Sequence, residues 1–163
     1  MHQARPVQLI KWLIGLFERT PYWLIALLGR FSIAAVFWKS GQTKVQGFAL
    51  DIVSGEFQFG MPQLSDSAVY LFEEEYHLPL IAPEPAAIMA AFAEHIFPVL
   101  ILLGLATRFS ALALLLMTLI IQLLVYPDAY PTHGAWATVL LLLLAKGPGA
   151  VALDRFIARK FSQ

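Results

Sequence analysis

The chain has no cysteine among its 163 residues, and only eleven basic and eleven acidic side chains. Without cysteine it cannot itself carry thiol–disulfide exchange or thiolate metal ligation. Balanced charge removes any bulk electrostatic argument for binding nucleic acid. Charged residues make up 13% and hydrophobic residues 59%, with a mean hydropathy of +0.70. A soluble domain is about 25% charged and about 45–50% apolar. So few charges do not clothe a water-facing surface, and much of the exterior must face lipid. There is also no phosphate-binding loop, no nucleophile–base pattern and no pair of histidines at i, i+3 or i, i+4 spacing. Those absences argue against an enzyme acting alone and against a helical metal site.

What the chain does have is long apolar runs. Its length suits one domain, residues 1–163, and four runs predict membrane-crossing helices at residues 22–38, 85–107, 109–126 and 131–146. The third has no charge, over close to the ~20 residues needed to cross. Pro131 suits the first turn of the fourth, and Gly147-Pro148-Gly149 ends it. In residues 1–20, Gln8, Lys11, Gly15 and Glu18 are spaced three, four and three apart on one helical face. That spacing predicts an amphipathic helix lying in the interface and ending before Pro21, rather than a cleavable leader. Residues 150–163 read as a surface tail with Phe156 and Ile157 dipping into lipid.

With the N-terminus inside, Arg5, Lys11, Arg19, Arg108, Lys146, Arg155, Arg159 and Lys160 all fall on the cytoplasmic side, against Lys39 and Lys44 outside. This bias predicts a multi-pass protein of the cell membrane, in a bacterium the cytoplasmic membrane, with both termini cytoplasmic. Residues 40–84 then form one outer segment. It holds too many aromatic and apolar groups for a free linker, so it is expected to cap the bundle, with a short helix over residues 67–76. The fold class expected is an all-α membrane protein: a four-transmembrane-helix bundle with an interfacial N-terminal helix and an outer cap.

Two charges lie inside spans. Arg30 is placed ~12 Å and Glu94 ~13 Å below the outer ends of their helices, at 1.5 Å per residue. Opposite charges at equal depth on neighbouring helices are expected to pair, because an unpaired charge there costs at least about 2.5–3.5 kcal/mol. Ala87, Ala90 and Ala91 allow the close approach. Pro98 is expected to kink the second span and open a cavity beside Glu94. The pair reads either as a register-fixing bridge or as a proton or ligand site. Lys39, Ser40, Gln42, Lys44, Gln122 and His133 fall on the same outer half, where they would line a polar pocket. Lys39 and Lys44 equally suit ordinary snorkelling cations.

Several of these features together resemble one family. They are Leu28-Gly29-Arg30, Trp38-Lys39-Ser40-Gly41-Gln42-Thr43-Lys44, Glu94, the stretch from Pro98 to Arg108, His133 with Trp136, and Gly147-Pro148-Gly149 before Leu153-Asp154. In order and spacing the chain resembles the DoxX family of membrane proteins from about residue 22 onward. Residues 71–76 and Tyr126-Pro127 resemble a branch encoded beside systems that make copper-binding modified peptides. The resemblance implies a four-helix membrane bundle. It also implies a subunit of a membrane redox complex, such as thiosulfate:quinone oxidoreductase, or a part in oxidative-stress defence. By position, Arg30, Lys44, Glu94, Arg108 and His133 match the family's polar residues, with Arg108 topological.

The expected function is an integral membrane subunit of a redox or stress-response assembly, metal-related in the branch resembled. It would hold a small or quinone-like ligand in an outward-facing pocket around Glu94, Arg30 and His133, with Lys44 and Gln122 contacting the ligand. Quinone is the cofactor such a pocket implies, and any enzymatic role is that of a quinone-linked oxidoreductase subunit. Partner subunits, a homo-oligomer and the lipid bilayer are the expected partners. The competing readings are a permeation helper for a metal or small anion and a non-catalytic scaffold.

Overall fold

The computed structural model describes residues 5–161. Residues 1–4 of the predicted interfacial helix, residues 162–163 of the predicted tail, and the side chains of residues 5, 6 and 161 lie outside the described residues. Helix α1, Arg5–Phe17, leaves Trp12 63% and Phe17 69% exposed. Pro21 disfavours helical backbone at the residue before it and separates α1 from α2, Tyr22–Gln42. A β-hairpin follows, with β1 Val45–Asp51 antiparallel to β2 Glu56–Leu64. Next come α3, Asp66–Leu71, a π-turn over Phe72–Tyr76, and α4, Pro83–Leu103. Helix α5, Thr107–Ile120, runs into a π-turn at Ile121–Val125, and α6 is Tyr130–Lys146. Helix α7, Leu153–Phe161, is the last element.

Helices α2, α4, α5 and α6 pack as a ring in sequence order, with α6 returning against α2. Ala26, Ile33, Phe37, Ile101, Leu114, Leu140 and Leu143 fill its centre. Among the described residues, three segments are long and apolar enough to cross a membrane: Tyr22–Gln42, Pro83–Leu103 and Thr107–Val125. The apolar side chains turned outward, such as Phe31, Phe92 and Phe109, suit lipid rather than water. With these helices the chain is a multi-pass membrane protein. Helix α6 has 17 residues, about one turn fewer than α2 and α4, and completes the bundle.

The expectation of an all-α chain needs correction, because the hairpin is β-structure. Its period-two alternation is legible in retrospect, in Glu56-Phe57-Gln58-Phe59 paired with Phe48-Ala49-Leu50-Asp51. Gly47 and Gly60, which read as loop punctuation, instead let the two strands touch. A Cβ on Gly60 would stand 2.4 Å from the Gly47 carbonyl oxygen. Gly47, at φ 81°, sits at the register shift between Gln46 and Phe48. At the turn, the Asp51 carboxylate accepts from the backbone N–H groups of Val53 at 2.8 Å and Ser54 at 3.2 Å. Those bonds hold its pKa below the usual carboxylate range.

The hairpin is fastened to the end of α2. Trp38 donates its indole N–H to the Leu50 carbonyl at 3.0 Å, and the Leu50 N–H donates to Gln42 Oε1 at 2.7 Å. Beyond it, Phe72 and Ala68 bury against Ala86 and Ala87 of α4. The Ser65 hydroxyl accepts from the Ala68 N–H and caps α3.

Candidate functional site

Near the hairpin end of the bundle, Lys44 Nζ lies 2.7 Å from Glu94 Oε2. Both residues are buried, at 3% exposure each. Lys44 follows the last turn of α2, and its ammonium also donates to Ser40 Oγ at 3.1 Å and to the Ser40 carbonyl at 3.3 Å. Ser40 in turn donates its hydroxyl to Glu94 Oε1 at 3.1 Å. The i, i+4 spacing of Ser40 and Lys44 puts both groups over one spot on α4. Lys44 is the one partner of Glu94 Oε2 among the described residues.

Three features of local sequence let the helices close on this spot. Pro98 has no N–H, so it leaves the Glu94 carbonyl, four residues back, without its helical bond. Gly41 faces that carbonyl, and a Cβ there would lie 3.0 Å from it. His95, next in the chain, donates from Nδ1 to the Ala91 carbonyl at 2.6 Å and so accepts the Gln42 amide at Nε2, at 2.9 Å. His95 is thereby fixed as a neutral tautomer tying α4 to α2, with Trp38 edge-on at 5.1 Å.

Lys44 and Glu94 form part of the wall of a cavity of about 250 Å³. The rest of its lining is mostly apolar, including Met89, Leu116, Met117 and Ile120, with Phe72 and Tyr76 at one side. Burial raises the pKa of half-buried Tyr76 above that of a free phenol. The neighbouring Tyr126 hydroxyl donates to the Glu75 carboxylate.

Arg30 is elsewhere, and the expected Arg30–Glu94 pair does not form. The Arg30 guanidinium donates through Nη1 to the carbonyls of Pro148 at 3.0 Å and Val151 at 2.5 Å, and through Nη2 to that of Leu102 at 2.8 Å. Register is the reason. Antiparallel packing sets Ser40 against Glu94 and Arg30 against Leu102, so the two charges sit ~12–15 Å apart along the bundle. Helix α2 also continues to Gln42, beyond the expected end at residue 38, which puts Arg30 deeper from that end than the sequence suggested. Arg30 answers the open carbonyl of Leu102 at the C-terminus of α4, where a cation is favoured, and those of Pro148 and Val151 in the loop between α6 and α7.

Around Arg30 the other end of the bundle is knotted. Tyr22 donates to the Gly147 carbonyl at 2.6 Å. Asp154 accepts from the N–H groups of Ala106 at 2.7 Å and Thr107 at 3.0 Å, capping α5. Gly104, at φ 69°, leaves no room for a side chain, since its Cβ would stand 2.6 Å from Ala152 Cβ.

His133 and Gln122 come together, but apart from the Lys44–Glu94 cavity. His133 Nδ1 donates to Gln122 Oε1 at 2.7 Å, and the Gln122 amide donates to the Pro127 carbonyl at 2.6 Å. This bond joins α6 to the π-turn after α5, and neither side chain lines the cavity. The five residues expected in one pocket thus fall into three places. Ser40, expected only as one of the polar groups of an outer pocket, bridges the ion pair, and it lies one helical turn before a lysine at the end of a span.

Neither a protein of curated function nor a solved structure matches the chain. Its sequence does match the DoxX family over residues 25–127, a stretch that holds Arg30, Ser40, Lys44, Glu94 and Gln122 and stops short of His133. With most of the chain covered by that match, this membrane protein belongs to the DoxX family.

Proposed function

We propose that this protein is a membrane subunit of a redox assembly that holds a small, quinone-like ligand in the cavity beside Lys44 and Glu94. One observation carries the reading: a buried ion pair forms one polar patch on the wall of an otherwise apolar cavity, with Lys44 and Ser40 as the polar groups set against its carboxylate. Pockets of this kind orient an amphiphile by its few polar groups and hold its body by apolar contact. The donor set suits a quinone: an ammonium to donate to a carbonyl oxygen, a carboxylate to accept from a hydroxyl, and Met, Leu and Ile to cover a hydrocarbon tail.

A bound quinone would supply two-electron chemistry coupled to two protons. In this chain, the Glu94 carboxylate beside Lys44 would take the proton of a hydroxyl placed at Oε2. Ser40 keeps the other oxygen occupied, so that proton has one destination. Electrons would pass to or from a partner subunit, since the chain has no cysteine to carry them. We place the cavity on the outer side and both termini in the cytoplasm, from the distribution of Lys and Arg, with α6 as the fourth crossing helix.

The test is extraction. Protein purified from membranes in mild detergent is expected to release a stoichiometric quinone on solvent extraction, identified by mass spectrometry, and Glu94→Gln with Lys44→Met is expected to lose it. Purified protein with no extractable quinone, and with no quinone taken up on addition, sinks the reading. A flux assay in liposomes separates it from permeation: apolar side chains fill the bundle between the Lys44 and Arg30 levels, so no flux is expected.

A further inference from the structure

At the Arg30 end of the bundle, three cations from three elements converge on one open groove of about 740 Å³. Arg108 is in the first turn of α5, Lys146 is the last residue of α6, and Arg155 is in the first turn of α7. All three are exposed, and none has a carboxylate within ion-pair distance among the described residues. Asp154 also lines the groove, but its two oxygens are committed to the N–H groups of Ala106 and Thr107. Three cations therefore face one carboxylate that is already occupied. Gly147 leaves the floor bare: a Cβ on it would stand 3.6 Å from Arg108 Nε and Nη2. Trp23, 42% exposed, and Phe109, 66% exposed, form an apolar wall on the side of the spanning helices.

We propose that this groove binds the phosphate headgroup of an anionic phospholipid. Position favours a lipid over a free solute. The groove lies at the ends of two helices long enough to cross the bilayer, where headgroups lie and where Trp is favoured. Charge complementarity supplies the recognition. Arg108 and Arg155 present forked donors suited to phosphate oxygens, Lys146 adds a point charge, and the aromatic wall covers the glycerol and upper acyl chain. Such clusters recognise anionic lipid even where they also help set topology. The site is independent of the cavity at Lys44, some two-thirds of a bilayer away along the bundle at ~1.5 Å per residue.

The experiment uses the purified full chain in zwitterionic detergent, titrated with phosphatidylglycerol, phosphatidylcholine or inorganic phosphate, with bound lipid counted by native mass spectrometry. Saturable binding of phosphatidylglycerol over phosphatidylcholine is expected, weakening about fivefold for each of Arg108→Gln, Lys146→Gln and Arg155→Gln and about a hundredfold for all three. A control with Lys39→Gln, Arg159→Gln and Lys160→Gln removes the same charge outside the groove and is expected to keep the lipid. Equal loss in both triple variants overturns the site in favour of diffuse charge. Displacement of the lipid by millimolar inorganic phosphate overturns the lipid as its occupant. Arg155→Gln alone leaves α5, α6 and the Asp154 cap intact, so its binding can be read even if the triple variant folds poorly.

Discussion

Lys44 and Glu94 meet at 2.7 Å across fifty residues of sequence, each with only 3% of its surface exposed. Ser40 bridges them, donating to one carboxylate oxygen and accepting from the ammonium. Two charges taken out of water this way depend on each other more than they strengthen the fold.

Glu94→Gln or Lys44→Met alone is expected to destabilise the protein by about 3 kcal/mol, since each strands a buried charge or its partner. The double variant Lys44→Met, Glu94→Leu should recover most of that loss while still failing to retain ligand. Detergent unfolding curves measure the first effect and extraction the second. A double variant no more stable than either single would show that the pair is not coupled.

Arg30→Leu should cost about 2–4 kcal/mol, because three carbonyl oxygens lose a charged donor in one step. The protein that still folds should carry as much ligand as the parent chain, for Arg30 is not part of the cavity wall. Ligand content per folded molecule decides the point. If it drops while thermal stability holds, Arg30 has a direct part in binding after all.

Two glycines should respond in opposite ways to alanine. Gly60→Ala forces a Cβ to within 2.4 Å of the Gly47 carbonyl, so the hairpin must shift. Amide exchange at Leu50, whose N–H bonds Gln42, should speed up severalfold as a result. Gly134 in α6 has open space around it, and Gly134→Ala should stabilise by up to about 1 kcal/mol through helix propensity. Hydrogen exchange and thermal denaturation read the two outcomes.

Tyr76 gives a pH dependence in the alkaline range. Burial raises its folded-state pKa above the ordinary value near 10. Its contribution to stability is therefore whole below pH ~10 and is lost as pH rises from there through the raised folded value, because the unfolded chain releases the phenol proton first. Tyr76→Phe should flatten that part of the profile. Phenolate absorbance against pH, with and without the substitution, checks it, and an unchanged slope would remove Tyr76 from the account.

Hydropathy alone marked where α2, α4 and α5 run, because lipid rewards long apolar segments whatever their neighbours are. Single residues also declared themselves in the sequence: Pro98 by its missing N–H, Gly147-Pro148-Gly149 as a helix stop, and Arg30 and Glu94 as charges needing an answer. Which answer each found was set by the tertiary structure. Pairing depends on the axial register of two antiparallel helices, and a shift of a few residues at 1.5 Å each moves a charge from one partner to another. Arg30 therefore went to the carbonyls of Leu102, Pro148 and Val151, while Glu94 took Lys44 from beyond the end of its neighbour. The hairpin was likewise decided in three dimensions: Gly47 and Gly60 read as breaks in a linear pattern until the strands lie side by side and only glycine fits between them.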